Sequence, residues 1–335
     1  MNETLLTIKN LHVQYTSGGQ IVRAVNGVDI ELKKGETLGL VGETGAGKTT
    51  ISKAILRILP DPPAKVTCGE VWLNDVNLFD LPAREMLEVR GNKIAMIFQD
   101  PMTALNPTMT VGNQIAEVIL QHNDISNKEA MKRAASMLEM VGIPAMRYME
   151  YPHQFSGGMK QRVVIAMALA CNPELILADE PTTALDVTIQ AQVLEMMINL
   201  KQKMNTSMIL ITHDLGVVAQ TCDRVAVIYA GQIVESGTKE EIFNNPLHPY
   251  TIGLFGALPK LNDDSKRLSP ILGLPPDPTN LPEGCSFNPR CPHAFEDCTV
   301  GQTPEMIEVT PGHFVRCILF RKESVHHGIS RSQTS

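Results

Sequence analysis

The sequence predicts an α/β fold, built on a mostly parallel β-sheet with an antiparallel β element, a helical subdomain and a small Pro/Cys-rich C-terminal region. Two short apolar runs, 37–41 and 175–178, are each followed by a longer helical pattern, 49–59 and 187–200. Strands that alternate with helices are typical of a parallel sheet whose faces are covered by helices. These runs are therefore predicted to form the core of the sheet.

The N-terminal segment has a different pattern, because its apolar residues alternate with polar ones. Two such series flank a turn sequence: Leu11-Val13-Tyr15, Ser17-Gly18-Gly19 and Val28-Ile30-Leu32. This arrangement predicts an antiparallel β element beside the parallel core. Helical patterns with apolar faces at 114–122 and 128–141 predict a helical subdomain over about 100–170.

A change in composition divides the chain near residue 245. Twelve of the 22 prolines and four of the seven cysteines lie after that point. We therefore predict a first domain over 5–245, a C-terminal extension over 246–325 and a disordered tail over 326–335. The segment 249–258 is predicted to form one more helix.

Composition and charge exclude several classes of protein. With 29 Lys plus Arg against 36 Asp plus Glu, the 335-residue chain has a net charge of -7 and no long basic run, so nucleic acid is not expected as a partner. The most apolar stretch, 163–171, is far shorter than the roughly 20 residues of a membrane span. The N-terminus lacks the apolar core of a signal peptide, so we predict a cytosolic protein whose cysteines are reduced thiols or metal ligands.

A glycine-rich loop lies between the apolar run 37–41 and a helical pattern, which is the context of a phosphate-binding P loop. Its glycines let successive N–H groups curl around an anion, and the helix N-terminus adds partial positive charge. Lys48 is placed to reach the β and γ phosphates of a nucleotide, and Thr49 to hold Mg²⁺. We assign nucleotide binding to Gly42, Glu43, Thr44, Gly45, Ala46, Gly47, Lys48, Thr49 and Thr50.

A second apolar strand ends in two adjacent carboxylates, Asp179 and Glu180. Neighbouring residues of a strand point to opposite sides, so one carboxylate can face a metal and the other an attacking water. We predict that Asp179 holds Mg²⁺ through water and that Glu180 polarises the nucleophile. Without the P loop, such a pair would be interpreted as a solvated turn.

The most specific motif lies between these two sites and reads Phe155-Ser156-Gly157-Gly158-Met159-Lys160-Gln161-Arg162. A serine and two glycines at a helix start offer a hydroxyl and bare N–H groups to an anion. The motif resembles the signature sequence of the ATP-binding-cassette (ABC) family, with Phe155 where leucine is usual. The resemblance implies a P-loop ABC-type nucleotide-binding domain that pairs head to tail with a second ABC ATPase subunit. ATP would then lie between one P loop and the partner's signature.

Other landmarks of the family match single residues of this chain. The resemblance implies that Tyr15 stacks on adenine, that Gln99 meets the metal and the attacking water, and that His213 contacts the γ phosphate. It also implies that the loop Ala184-Leu185-Asp186 touches the opposite subunit. The implied activity is hydrolysis of ATP to ADP and phosphate, coupled to transport of a solute.

Three further segments resemble the ATPase subunits of oligopeptide and dipeptide importers: 98–107, 151–154 and His248-Pro249-Tyr250-Thr251. This likeness implies a peripheral protein on the cytoplasmic side of the cell membrane, beneath two integral membrane permeases. An extracellular or periplasmic peptide-binding protein would deliver the peptide. Importers of nickel or of metal chelates share much of this pattern and stay open as an alternative.

Four cysteines lie in the extension, at Cys285, Cys291, Cys298 and Cys317. Four thiolates in a reducing compartment indicate a metal site. Structural zinc commonly uses close cysteine pairs, which are missing here, so the wider spacing fits an iron-sulfur cluster better. The peptide-importer resemblance also implies a [4Fe-4S] cluster at these positions; zinc and free thiols are the alternatives.

Three other functions use the same nucleotide motifs. A chromosome-maintenance cassette would carry a long coiled coil between Lys48 and Ser156, but only 107 residues intervene, without sustained heptads. A translation cassette would carry two P loops, and this chain has one. A nucleotide-controlled iron-sulfur sensor is the remaining alternative, with the extension as its output.

Overall fold

The computed structural model describes residues 3–183, 185–256 and 271–321, with only the backbone of residues 101 and 102. Ala184 of the predicted contact loop and the predicted tail 326–335 lie outside the described residues. Within these ranges, no helix combines the length and apolar character needed to cross a bilayer.

The described residues contain twelve β-strands, which belong to two sheets. They are β1 (Thr4–Ser17), β2 (Gln20–Lys33), β3 (Thr37–Val41), β4 (Ala64–Leu73), β5 (Val76–Asn77), β6 (Ile94–Ile97), β7 (Leu175–Asp179), β8 (Ser207–Ile211), β9 (Arg224–Tyr229), β10 (Gln232–Thr238), β11 (Ile307–Thr310) and β12 (His313–Val315).

The same ranges contain ten α-helices. They are α1 (Lys48–Ile55), α2 (Ala83–Val89), α3 (Pro101–Ala104), α4 (Val111–His122), α5 (Asn127–Met140), α6 (Gly157–Leu169), α7 (Val187–Met204), α8 (Leu215–Thr221), α9 (Lys239–Asn244) and α10 (Pro249–Gly256). Five short 3₁₀ segments occur at Ala145–Met149, Pro152–Gln154, Asn288–Arg290, Glu296–Cys298 and Ile318–Phe320.

The larger sheet has the order β11-β12-β10-β9-β3-β8-β7-β6 over the described strands. Its central pairs are parallel, since β3 lies between β8 and β9 and β7 lies between β6 and β8. Strands β3, β7 and β8 are buried along their whole length, as expected for strands covered by helices on both faces. The predicted parallel core is confirmed.

The smaller sheet is antiparallel, in the order β2-β1-β4-β5, and confirms the predicted N-terminal element. The turn between β1 and β2 places Gly18 and Gly19 at φ of 56° and 81°, in the left-handed region that a tight hairpin requires. One apolar core joins this sheet to α1 and to one side of the central strands.

The segment predicted to form a helical subdomain contains α4 and α5, which pack on each other and on α6. Thr110 and Ser126 cap these helices through side-chain oxygens that accept hydrogen bonds from backbone N–H groups. The helix predicted over 49–59 is shorter than expected and ends at Ile55. The reason is local, because Arg57 adopts a left-handed φ of 52° that stops the helix.

The C-terminal region extends the central sheet. Strand β12 pairs with the edge of β10 that faces away from β9, and β11 pairs with β12. His313 of β12 contacts two carboxylates of the preceding domain, with its Nε2 2.8 Å from Oε1 of Glu235 and its Nδ1 bonded to Glu241. Glu235 is fully buried, so this contact ties the extension to the sheet. The predicted helix 249–258 appears as α10 within the described residues.

Candidate functional site

The P loop joins β3 to α1, as its sequence context predicted. The Nζ of Lys48 donates to the carbonyl oxygens of Gly42 at 2.7 Å and Glu43 at 2.9 Å, which curls the loop around its own ammonium group. Gly47 has a φ of 104°, and a Cβ at this position would lie 2.4 Å from the carbonyl oxygen of Ala24. A side chain cannot be added there without moving backbone, so the loop depends on this glycine.

Charges of opposite sign meet at the start of α1. Burial lowers the pKa of Lys48, while the carboxylates of Glu180, Asp179 and Glu43 oppose that shift. Burial also raises the pKa of Asp179, against a hydrogen bond with the Thr49 side chain that lowers it. An ammonium, a hydroxyl and a buried carboxylate therefore lie together where a nucleotide phosphate and a divalent cation would bind.

The carboxylate of Glu180 contacts the other two residues that were predicted to be catalytic, Gln99 and His213. Its Oε2 accepts hydrogen bonds from Nε2 of Gln99 and from Oγ1 of Thr183, both at 2.9 Å, and its Oε1 lies 3.3 Å from Nδ1 of His213. Its backbone has a left-handed φ of 46°, an uncommon conformation for a residue other than glycine. At Glu180 the main chain therefore turns away from the direction of β7. The carboxylate lies beside Gln99, which follows β6, and His213, which follows β8.

Thr183 was missed by the sequence analysis, although it lies three residues beyond Glu180. Its hydroxyl donates to the same carboxylate oxygen as Gln99. A hydroxyl after a pair of carboxylates is common in turns, so the sequence contained no signal for this contact.

Tyr15 lies beside the P-loop helix. Its hydroxyl is 3.4 Å from Oγ1 of Thr50, and its ring is only partly buried near the end of β1, an inner strand of the antiparallel sheet. A partly exposed ring at this position can offer a face to an aromatic base.

The signature residues lie on other elements. Ser156 caps α6 and accepts a hydrogen bond from the N–H of Met159, while Asp186 caps α7 and accepts from Ile189. Helix α6 packs on α3, α4, α5, α7 and β6, whereas α1 packs on β2 and β7. Ser156, Gly157 and Asp186 are exposed. The structure thus presents a second set of N–H donors at a surface separate from the P loop.

The C-terminal region reaches the P loop through Glu43, a contact that the sequence analysis missed. Arg290 forms a bidentate pair with this carboxylate, with Nη1 2.8 Å from Oε2 and Nη2 3.0 Å from Oε1. The N–H of Glu43 donates to the hydroxyl of Tyr250 at 2.9 Å. The Arg290 side chain is 5% exposed, and its Nη1 is also 3.3 Å from the hydroxyl of Tyr229. The contacts of Glu43 with Arg290 and Tyr250 each span more than 200 residues of sequence, so local sequence patterns could not predict them.

The four cysteines of the extension line one pocket, together with His248, Phe287 and the 3₁₀ turn after Cys317. Burial raises the pKa of three of these thiols, to about 12 for Cys317. At each of these thiols, the backbone N–H of the residue two positions later lowers the pKa and so opposes the effect of burial. These N–H groups belong to Phe287 for Cys285, His293 for Cys291 and Leu319 for Cys317.

The arrangement of the four cysteines bears on the predicted metal centre. Within the described ranges, no group of three or more His, Cys, Asp or Glu side chains stands close enough to hold a metal ion. The four predicted cysteines thus share one pocket, but they do not form a recognisable ligand group among the described residues. The metal-cluster region of the predicted fold stays a prediction.

Comparisons with known proteins agree with this geometry. Residues 25–183 match the ABC transporter family, and residues 234–298 match the oligopeptide/dipeptide transporter C-terminal region. The first match includes the P loop, the signature and Glu180. The second includes Tyr250, Arg290 and three of the four cysteines.

Several relatives match nearly the whole chain. The chain is 51% identical to the dipeptide transport ATP-binding protein DppD of Bacillus subtilis (strain 168), over 98% of both chains. It is 52% identical to the oligopeptide transport ATP-binding protein OppD of the same organism, over 96% of this chain and 90% of OppD.

Solved structures match the fold. The ATP-binding cassette MJ0796, described as a dimer in a post-hydrolysis state bound to ADP and Pi, is 30% identical with a TM-score of 0.63 and covers 70% of this chain and 98% of its own. The chain belongs to the ATPases of the ABC transporter family, with the C-terminal region of oligopeptide/dipeptide transporters.

Proposed function

We propose that this chain is the ATP-hydrolysing subunit that powers import of dipeptides or oligopeptides through partner permeases at the cytoplasmic side of the cell membrane. The observation that carries this proposal is the contact between two parts of one chain. An ATPase site built around Lys48 and Glu180 is joined through Glu43 to a C-terminal region of the oligopeptide/dipeptide transporter type. The names of the two Bacillus relatives favour peptides over nickel or metal chelates.

The proposed chemistry follows from the groups that meet at the P loop. Gly42 to Thr50 would cradle the phosphates, and the Lys48 ammonium would leave its two carbonyl partners for phosphate oxygens. Glu180, held by Gln99 and Thr183, would accept a proton from the attacking water. His213 would contact the γ phosphate from the other side of Glu180.

The residues fit a magnesium ion at the same place. The Thr49 hydroxyl and the buried Asp179 carboxylate share a hydrogen bond, so both oxygens lie within reach of one ion. Thr49, Asp179 and the Gln99 amide would hold Mg²⁺, which would supply positive charge to the phosphates.

The transport proposal is tested by purifying the full chain from its native membranes. We expect two integral membrane permeases to co-purify, and we expect ATP turnover of the complex to rise when a peptide-loaded binding protein is added. Recovery of an active ATPase without membrane subunits would instead favour the nucleotide-controlled sensor. Stimulation by nickel, with no response to peptides, would favour the metal importer.

The exposed signature supports a head-to-tail dimer in which Ser156, Gly157, Gly158 and Asp186 act on the partner's nucleotide. Gly157 is the informative position, because a Cβ there meets nothing within 4 Å, whereas one on Gly158 would lie 2.5 Å from Ile189. A carboxylate at residue 157 therefore leaves the subunit intact and repels the partner's phosphates.

We expect Gly157→Asp and Lys48→Ala homodimers to be inactive and their mixture to recover roughly one quarter of wild-type turnover. Half of the mixed population pairs one variant with the other, and each such dimer holds one site without a lesion. The measurement is ATPase rate against the fraction of mixed dimers, counted with two affinity tags. Wild type mixed with Lys48→Ala is the control that shows whether one intact site suffices. If it does, and the two variants still fail to complement, the trans arrangement is wrong.

We further propose that the extension, taken as 246–325 beside an ATPase domain over 5–245, holds a [4Fe-4S] cluster on Cys285, Cys291, Cys298 and Cys317. Burial raises the pKa of three of these thiols, but backbone N–H groups face their sulfur atoms and would stabilise thiolates bound to a cluster. The four ligands of a zinc ion converge at about 2.3 Å on a single point. A [4Fe-4S] cluster takes one thiolate on each of its irons, so its cysteine ligands can lie further apart.

We expect protein purified without oxygen to be brown and to contain iron and sulfide in equal amounts. Cys298→Ser should lose both and expose the extension to protease, because the ligand set also organises this proline-rich segment. Basal ATP turnover should largely survive. Cys171→Ser, a cysteine outside the pocket, is the matched control and should keep its iron. Stoichiometric zinc in this preparation would mean that the four cysteines bind zinc and not a cluster. Wild type without any metal would mean that the proposed metal site does not exist.

A further inference from the structure

His248 is a buried histidine that the ATPase mechanism does not use. It directly precedes α10, is 1% exposed and lines the pocket of the four cysteines. Its backbone N–H donates to Oε2 of Glu235 at 2.8 Å, and its ring lies 5.8 Å from the ring of Phe287. The imidazole is therefore fixed in place by the fold.

The hydrogen bonds of the ring decide which nitrogen carries the proton. The backbone N–H of Tyr250 donates to Nδ1 of His248 at 3.0 Å, so Nδ1 is an acceptor and carries no hydrogen. The neutral ring then carries its proton on Nε2. Nε2 is buried and has no hydrogen-bond partner among the described residues.

A buried N–H without an acceptor is costly, because it loses its hydrogen bonds to water and gains none in return. The other polar side-chain groups of this pocket include four thiols, and sulfur becomes a good acceptor when it is a thiolate or an inorganic sulfide. The pocket thus lacks one acceptor, and a cysteine-bound cluster would provide it.

We propose that the Nε2–H of His248 donates a hydrogen bond to a sulfur atom of the centre held by Cys285, Cys291, Cys298 and Cys317. The inference rests on the proposed cluster and adds a residue that is not one of its ligands. Such a bond stabilises the more negative, reduced state of a cluster and raises its reduction potential. His248 is a positioning and tuning residue of this site, since it acts through the sulfur and not on ATP.

The test compares three full-length proteins reconstituted without oxygen: wild type, His248→Leu and His248→Gln. Glutamine can place an amide N–H near the position of Nε2, whereas leucine fills part of the space and donates nothing. The readouts are iron and sulfide content and the midpoint potential from a spectroscopic redox titration. His293→Leu is the control, because His293 also lines the pocket but is exposed to water.

We expect the leucine variant to favour the oxidised cluster by about tenfold, equivalent to 59 mV for a one-electron couple, and glutamine to restore much of the difference. Loss of iron from the leucine variant but not from the glutamine variant would also support the donor. An unchanged potential in an iron-loaded leucine variant, loss of iron from both variants, or an equal shift in His293→Leu would overturn the role of His248. Wild type without iron and sulfide would instead overturn the cluster and the donor with it.

Discussion

We expect Glu180→Gln to bind ATP normally and to hydrolyse it about 10² to 10⁴ times more slowly than wild type. Glutamine has the shape of glutamate and can keep contacts with Gln99 and Thr183, but it cannot take a proton from water. The P loop is untouched, so the nucleotide should hold the subunits together in a long-lived dimer. Single-turnover assays measure the rate of hydrolysis, and equilibrium titration measures the affinity for ATP. Size-exclusion chromatography with ATP shows whether the dimer persists.

Glu85→Gln provides the matched control, since it makes the same change on the exposed face of α2. Its turnover should equal that of wild type. If Glu180→Gln hydrolyses ATP at the wild-type rate, Glu180 is not the general base, and its contacts with Gln99 and His213 serve only to shape the loop.

The elements that the sequence predicted well are those whose causes are local. The hairpin at Gly18 and Gly19 follows from two positive φ angles, and the buried runs of β3 and β7 follow from continuous apolar residues. The P loop needs only a strand, a glycine-rich turn and a helix in succession. Each of these features lies within a short window of sequence, where propensity and periodicity act directly.

The contacts that could not be predicted join distant residues. Strand β12 pairs with β10 across about 80 residues, and nothing in the alternation of 307–315 names that partner. Arg290 and Glu43 are ordinary surface residues by sequence, and their pairing depends on how the extension folds over β9. Helix α1 was predicted too long because apolar periodicity continued past Arg57, whose backbone turns left-handed. Local sequence patterns therefore do not predict long-range pairing or the conformation of a single backbone residue.

The pair between Arg290 and Glu43 predicts that the extension sets the affinity of the ATP site. Two parallel hydrogen bonds fix the carboxylate, and the carbonyl of the same residue accepts from Lys48. Arg290→Met would leave the Glu43 carboxylate without its counter-charge, beside the P loop that we propose binds the phosphates. We expect the KM for ATP to rise about 10- to 100-fold, because charge-assisted pairs of this kind are worth roughly 1.5 to 3 kcal/mol.

A double-mutant cycle separates this effect from a general loss of stability. Glu43→Gln removes the negative charge, so the double variant Arg290→Met/Glu43→Gln should bind ATP better than Arg290→Met alone. The turnover number should change much less than KM, since neither side chain touches Glu180. Arg133→Met is the control, because Arg133 pairs with Glu129 on an exposed helix face and exposed pairs contribute little. Strictly additive effects of the two changes would mean that Arg290 holds only its own region in place and does not position the P loop.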